Sequence, residues 1–254
     1  MIEILGDVRL LFMRHLRKSL REPVWLFIGL FQPVLYLTLF MPLLKGLGNA
    51  PGLPAGAIER TFVPGLLVMV TIFTLGFAGF GLIEDKRQGT IERWLVTPAS
   101  RPAILLSMIF RDCLLLIGQV MLVCVLALLL GLSAHIAGFT IGLLLILLVG
   151  VVMAAFSYAI SFIVRDESGL ASLTNLIYLP VLLLAGIMLP LDLAPNWLKT
   201  LASLNPFSHV VAAERLLFAG TVNDYEVWKA FVMIFALAVL TVTWAVSRLK
   251  RMSA

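Results

Sequence analysis

Charge is what this sequence has least of. Only 13% of its 254 residues are Asp, Glu, Lys or Arg, while 61% are hydrophobic and mean hydropathy is +1.06. No soluble domain needs that much apolar surface, so the composition points to a polytopic α-helical membrane protein. Strict alternation of apolar and polar residues is also missing, which argues against a β-barrel. Cysteine is nearly absent. Cys113 and Cys124 share one apolar run, and on a helix they would stand roughly 16 Å apart, too far for a disulfide. They read as small packing residues. His15, His135 and His209 are too scattered for a metal site. There is no P-loop: Lys18-Ser19 and Lys199-Thr200 carry the last pair of that motif without its glycines. The chain is therefore expected to lack an ATPase site and to need no cofactor of its own. No ionisable residue is evident deep inside an apolar run, which speaks against a proton or ion relay.

The apolar runs themselves set the architecture. Residues 1–22 carry Arg9, Arg14, Arg17, Lys18 and Arg21 among apolar residues at helical spacing, the pattern of an interfacial amphipathic helix. Pro23 to Leu44 is a first span, too long for the apolar core of a cleavable signal. Span two is about Thr61–Ile83. Fifty-two uncharged residues between Asp112 and Arg165 make spans three and four, joined by a hairpin near Gly131–His135. Span three is expected to start slightly before Arg111 and Asp112, with that pair at the headgroups. Span five is about Ser168–Leu191 and the last is Ala230–Ser247, after a long external segment, 192–229. The expected fold is all-α, one membrane domain over 1–254 with six spans. Fourteen Lys and Arg fall on the side of the two termini and five on the other, so both termini are expected in the cytoplasm. Basic residues beside spans suit membrane lipids rather than nucleic acid.

Three patterns carry functional signal. The first is segment 84–101, with seven charged residues in eighteen. Gly89-Thr90 reads as a break and N-cap, Glu92 sits near a helix start, and Ile91, Trp94 and Leu95 share one face. This short helix either rests on lipid or docks a soluble partner. The second is the external segment. Trp197, Leu198, Leu201 and Leu204 share a face, Asn205-Pro206 breaks it, and a helical pattern resumes with Glu214-Arg215 inside. It reads as a helix–turn–helix dipping into the outer leaflet, with Trp197 at the headgroups; a folded cap without a gating role is the other reading. The third is the stripe Phe73, Phe77 and Phe80 beside Gly76 and Gly79, which serves close helix packing or lines a path. Phe31, Tyr36 and Asn175 are further candidates for that path. Gln119 and Asn175 read as interhelical hydrogen-bonding residues at membrane depth.

Gln88-Gly89-Thr90-Ile91-Glu92-Arg93-Trp94-Leu95-Val96-Thr97-Pro98 resembles the Gly-Thr-hydrophobic-Glu, Leu-x-x-Thr-Pro pattern of ABC-2 family permeases, with Trp94 where leucine is commoner. Leu204-Asn205-Pro206-Phe207 through Glu214-Arg215 resembles that family's Asn-Pro…Arg pattern before the last span. The resemblance covers the whole chain and is nearest to drug-export permeases of the daunorubicin-resistance type. It implies a dimer of permeases around a central path in the cell (inner) membrane of a prokaryote. It implies two separate ABC ATPase subunits holding ATP and Mg, engaging the N-terminal helix (Arg17, Arg21) and Gly89, Thr90, Ile91, Glu92, Trp94 and Leu95. It implies Trp197, Asn205, Pro206, Glu214 and Arg215 as an external gate segment. The expected activity is export of an amphipathic drug or lipid-like compound. Export of a polysaccharide or glycolipid for envelope assembly, or a non-transporting scaffold or sensor, are the alternatives.

Overall fold

The structure is a computed structural model that describes residues 12–13, 31, 34–39, 42, 57–91, 101–132, 135–164, 166–187 and 194–251. Among the described residues every regular element is helical: α1 (Ala57–Gly76), α2 (Gly79–Arg87), α3 (Arg101–Leu129), α4 (Ile136–Ser161), α5 (Glu167–Leu184), α6 (Asn196–Ser203), α7 (Pro206–Phe218) and α8 (Tyr225–Arg251). Among the described residues, five stretches are long and apolar enough to cross a bilayer: Thr61–Arg87, α3, α4, α5 and α8. The expected first span lies mostly outside the described residues, although 34–39 are helical. The interfacial helix over 1–22, with Arg17 and Arg21, lies outside them almost entirely, as do Glu92, Trp94 and Leu95.

α4 is the central element because it has no charged face to give to water. It contains no formal charge, and a helix apolar all round belongs in the middle of a bundle. α1, α3, α7 and α8 pack around it. Its small residues, among them Gly138, Gly142, Gly150, Ala154 and Ala155, are buried and let neighbours approach. α5 is the peripheral span; Leu176, Leu179 and Leu183 stand exposed on it.

The boundaries have local causes. Gly131 at φ 103° ends α3, with Leu132 N–H bonding the Ala127 carbonyl and Gly131 N–H bonding that of Leu128, a Schellman closure. This places the α3–α4 hairpin where the sequence suggests it. Asp166 caps α5 by accepting the Gly169 N–H at 2.7 Å. That bond and one from the Ser168 hydroxyl hold its carboxyl below the ordinary range.

Several expected boundaries are corrected. α3 starts at Arg101, ten residues before Arg111. Arg111 is still about 27 Å from the far end of α3 at Leu129, so its depth is interfacial, but the pair faces the protein interior. Span two does not run straight: Phe77 and Ala78 form a turn between α1 and α2. α5 ends at Leu184 rather than near Leu191, and α8 extends from Tyr225 to Arg251.

Candidate functional site

The chain offers two polar stations at opposite ends of the bundle. The first is at the basic end, where α2 leads into the charged segment. α1 ends at Gly76, freeing a carbonyl that accepts the Tyr178 hydroxyl of α5 at 3.1 Å. α2 begins at Gly79, whose N–H donates to Ser157 Oγ of α4 at 2.9 Å. Both glycines are required by space: a Cβ at Gly79 would stand 2.7 Å from the Ser157 carbonyl, and one at Gly76 would enter the Tyr178 ring. The break is thus stitched to two other spans. Beyond it, Lys86 Nζ donates to the Ser161 carbonyl at 2.9 Å and Arg87 meets Glu167 at 3.0 Å. α2 is a nine-residue helix tied to α4 and α5 while separated from the rest of its own span.

Gly89 is the expected break, at φ 66°. Helix resumes at Thr90 itself, so Thr90 opens the next turn from inside rather than preceding it. Ile91 is a correction. It was expected on a face open to lipid or a partner, yet it is 3% exposed and belongs to the chain's own core.

Beside α2 lies a polar cluster that the sequence reading missed. Arg111 donates to Asp112 Oδ1 through Nε and a terminal nitrogen, at 2.9 and 2.6 Å. Tyr158 of α4 donates to Asp112 Oδ2, and Arg111 reaches the Tyr158 oxygen at 3.2 Å. Asp112 is buried and Arg111 is 15% exposed. Buried Asp85 of α2 lies within electrostatic reach of both Arg111 and Tyr158. The pair expected at the headgroups is thus largely buried within the protein. A tyrosine forty-six positions away supplies the partner, and periodicity carries no trace of that.

The second station is the helical hairpin α6–α7. Asn205 is its pivot. Its Oδ1 accepts the Phe207 N–H at 3.1 Å and so caps α7, with Pro206 at the first helical position. Its Nδ2 donates to the Val181 carbonyl of α5 at 2.8 Å. That carbonyl is available because the Ala185 N–H bonds Leu182 instead. One side chain caps the start of α7 and the end of α5. Arg215 extends the same fastening: it donates to Thr61, Gly186 and Ile187 carbonyls at 3.0, 2.8 and 3.2 Å. A guanidinium suits the carbonyl-rich C-terminus of α5. Away from the bundle, Trp197 (65% exposed), Leu201 and Leu204 form an exposed apolar face. His209 lies 3.3 Å from Glu226 on α8 and 3.1 Å from the Ser203 carbonyl. Glu214 turns inward and is fully buried. α7 is too short to cross a bilayer, and burial raises the pKa of this carboxyl.

Around the first station, Phe73 stacks on Phe77 at 6.4 Å, Phe77 meets Phe80 and Tyr178, and Phe156 links Tyr178 to Trp244. The phenylalanine stripe is half-buried packing that ties α1, α4, α5 and α8. Asn175 stands exposed at the middle of α5, and Gln119 is buried with Oε1 lacking a donor among the described residues. Among the described residues neither shows the interhelical bond expected of it. Phe31 is exposed and Tyr36 half-buried. Cys113 and Cys124 are free and buried, as expected of packing residues. Among the described residues no cluster of metal-ligating side chains occurs.

The sequence model described as ABC-2 type transporter matches residues 6–219 of this chain. A protein of Porphyra purpurea named a transport permease, ycf38, is 32% identical over 225 residues, covering 86% of this chain and 76% of its own length. A protein of the same name in Pyropia yezoensis is 31% identical over 223 residues, covering 85% and 75%. ABC transporter G family member 20 of Dictyostelium discoideum is 24% identical over 200 residues, 77% of this chain and 27% of that longer protein.

Proposed function

The chain belongs to the ABC-2 type transporter family, and from that premise we propose that it is the permease half of an ATP-driven exporter of amphipathic or lipid-like compounds. The observation that carries the reading is the broken span. A motor outside the membrane can move a span only through an element that is stiff, attached and free to change angle. α2 is such an element: nine residues, set off from α1 at Gly76–Gly79, and bonded to α4 and α5. The charged segment continues from its end. A partner ATPase pressing on that segment would rotate α2 against α4 and carry α5 with it through the Arg87–Glu167 pair.

What the peripheral span presents supports the proposed substrate class. α5 is the least covered span, exposing Leu173, Leu176, Ile177 and Leu179 around Asn175. A lone amide in an apolar strip at mid-span is costly against lipid tails and useful against a path shared with a second copy. An apolar path with few polar groups suits a compound with a greasy body and a small polar head. In this reading two permease copies and two ATPase subunits, holding ATP and Mg, make the working unit. The basic end faces the ATPases and the cytoplasm, and the α6–α7 hairpin faces outward. A prokaryotic cell membrane is the proposed setting.

The test is reconstitution of the chain with its co-purifying ATPase in vesicles carrying a fluorescent short-chain phospholipid. ATP-dependent movement of the lipid between leaflets, lost when the ATPase is omitted, is the expected result. ATP-dependent movement of a lipid-linked polysaccharide but not of the simple lipid would replace the substrate class. ATP-independent behaviour in both assays would overturn the exporter reading.

A further inference from the structure

We propose that Glu214 is a proton-binding site built into the contact between α7 and α4, loaded while that contact is closed and emptied when it opens.

Glu214 is 0% exposed, and neither of its carboxyl oxygens has a hydrogen-bond partner among the described residues. It faces bare backbone on α4: a Cβ at Gly142 would stand 2.7 Å from Oε2. One turn away, Gly138 lets the Leu217 backbone of α7 approach as closely. Two glycines a turn apart on α4 therefore form the bed on which α7 lies at Glu214. Contact this close leaves no room for a hydrated cation.

The surrounding ionisable groups are otherwise engaged. Arg215 turns to the Thr61, Gly186 and Ile187 carbonyls. On α8, Glu226 meets His209 and Lys229. His135, at the start of α4, packs on Gly220. Lys199 on α6 is exposed, and Tyr178 on α5 donates to Gly76. The buried Cys124 thiol of α3 lies within electrostatic reach and supplies no positive charge. α1 from Thr61 to Gly76 carries no ionisable side chain. An ionised carboxylate buried with no donor or counter-charge among the described residues is strongly disfavoured, and uptake of one proton from water, –COO⁻ + H⁺ → –COOH, removes the penalty. The closed contact thus binds the proton more tightly than an open, wetted one. By linkage, acid on that side favours closure. Each cycle that lifts α7 from α4 releases one proton and recovers it on closing, with no net proton transport.

The proposal does not depend on what is exported, and its test needs no transport. The full chain is placed in lipid nanodiscs and its infrared spectrum recorded near neutral pH. Wild type is expected to show the C=O band of an un-ionised carboxylic acid that Glu214→Gln lacks, and the band should fade as pH rises. Identical spectra would overturn the proposal. So would loss of the band on adding Na⁺ or K⁺ at fixed pH, since the site would then hold a cation. Unfolding is measured in parallel. The native state holds a proton that the unfolded chain gives up above the ordinary glutamate range. Wild type should therefore lose stability relative to Glu214→Gln as pH rises from acid to mildly alkaline. Parallel stability curves would refute the site. If Glu214→Gln does not fold, Glu214→Asp in glutamate-labelled protein serves instead: the isotope-shifted acid band should disappear from the glutamate region, and its persistence would count against Glu214.

Discussion

Asn205→Ala should remove two caps at once. The first is the α7 N-cap, where replacing Asn by Ala costs about 1 kcal/mol. The second is the Nδ2 bond to the Val181 carbonyl, worth about 1 kcal/mol by general mutational series and somewhat less inside membranes. The two act on different helix ends, so they should add to about 2 kcal/mol, or about 25-fold in the unfolding equilibrium. Asn205→Ser separates them. Serine caps α7 as well as asparagine does, but its hydroxyl is too short to serve α5 as well. Its cost should be about half that of alanine. The assay is reversible unfolding of the full chain in mixed micelles, with a tryptophan signal and a separate check of membrane insertion. If serine costs as much as alanine, the bond to α5 contributes nothing measurable. If alanine is neutral, the double-capping argument is wrong altogether.

Three further outcomes test other parts of the structure. Ile91→Ala should destabilise the chain by about 2–5 kcal/mol because Ile91 is a core residue, whereas Trp94→Ala, if Trp94 docks the ATPase, should leave stability intact and lower substrate-stimulated ATPase activity and export together; wild-type coupling in Trp94→Ala would return that helix to a lipid-resting role. Arg111→Met leaves Asp112 buried with Tyr158 alone and should cost about 3–5 kcal/mol, most of it recovered in the double variant Arg111→Met, Asp112→Leu; a chemical denaturation series showing no recovery would mean that the pair acts through packing. With the native cysteines removed, a cysteine at Asn49 should react with an impermeant thiol reagent on intact cells and one at Ser253 should not, and the reverse pattern would invert the proposed topology.

Much of the architecture was legible because a bilayer punishes exposed backbone and charge so severely that spans must announce themselves as long uncharged runs. Each of the five described stretches able to cross overlaps an expected span, although α3 starts about ten residues early, α5 ends short and α8 runs longer at both ends. The turn at Gly131 and the break at Asn205-Pro206 were readable from residues whose backbone preferences are local. The kink at Gly76–Gly79 was not. Two glycines in an apolar run look like packing residues, and only Tyr178 and Ser157, each about eighty or more positions away, turn them into a stitched break.

What the sequence alone determined here is the class of protein, the approximate place of the described spans and the family to which it belongs, since each rests on composition or on short motifs. Tertiary structure decided which side chains act. It put Ile91 in the core instead of on an open face, gave Asp112 a tyrosine partner on α4, and made Asn205 a cap for two helices. It also turned Glu214 away from solvent while its neighbour Arg215 fastened three carbonyls. The physical reason is one of range. Hydrophobic periodicity reports where a helix lies, but the environment of a polar side chain is set by whichever distant backbone or ring the packed bundle brings against it.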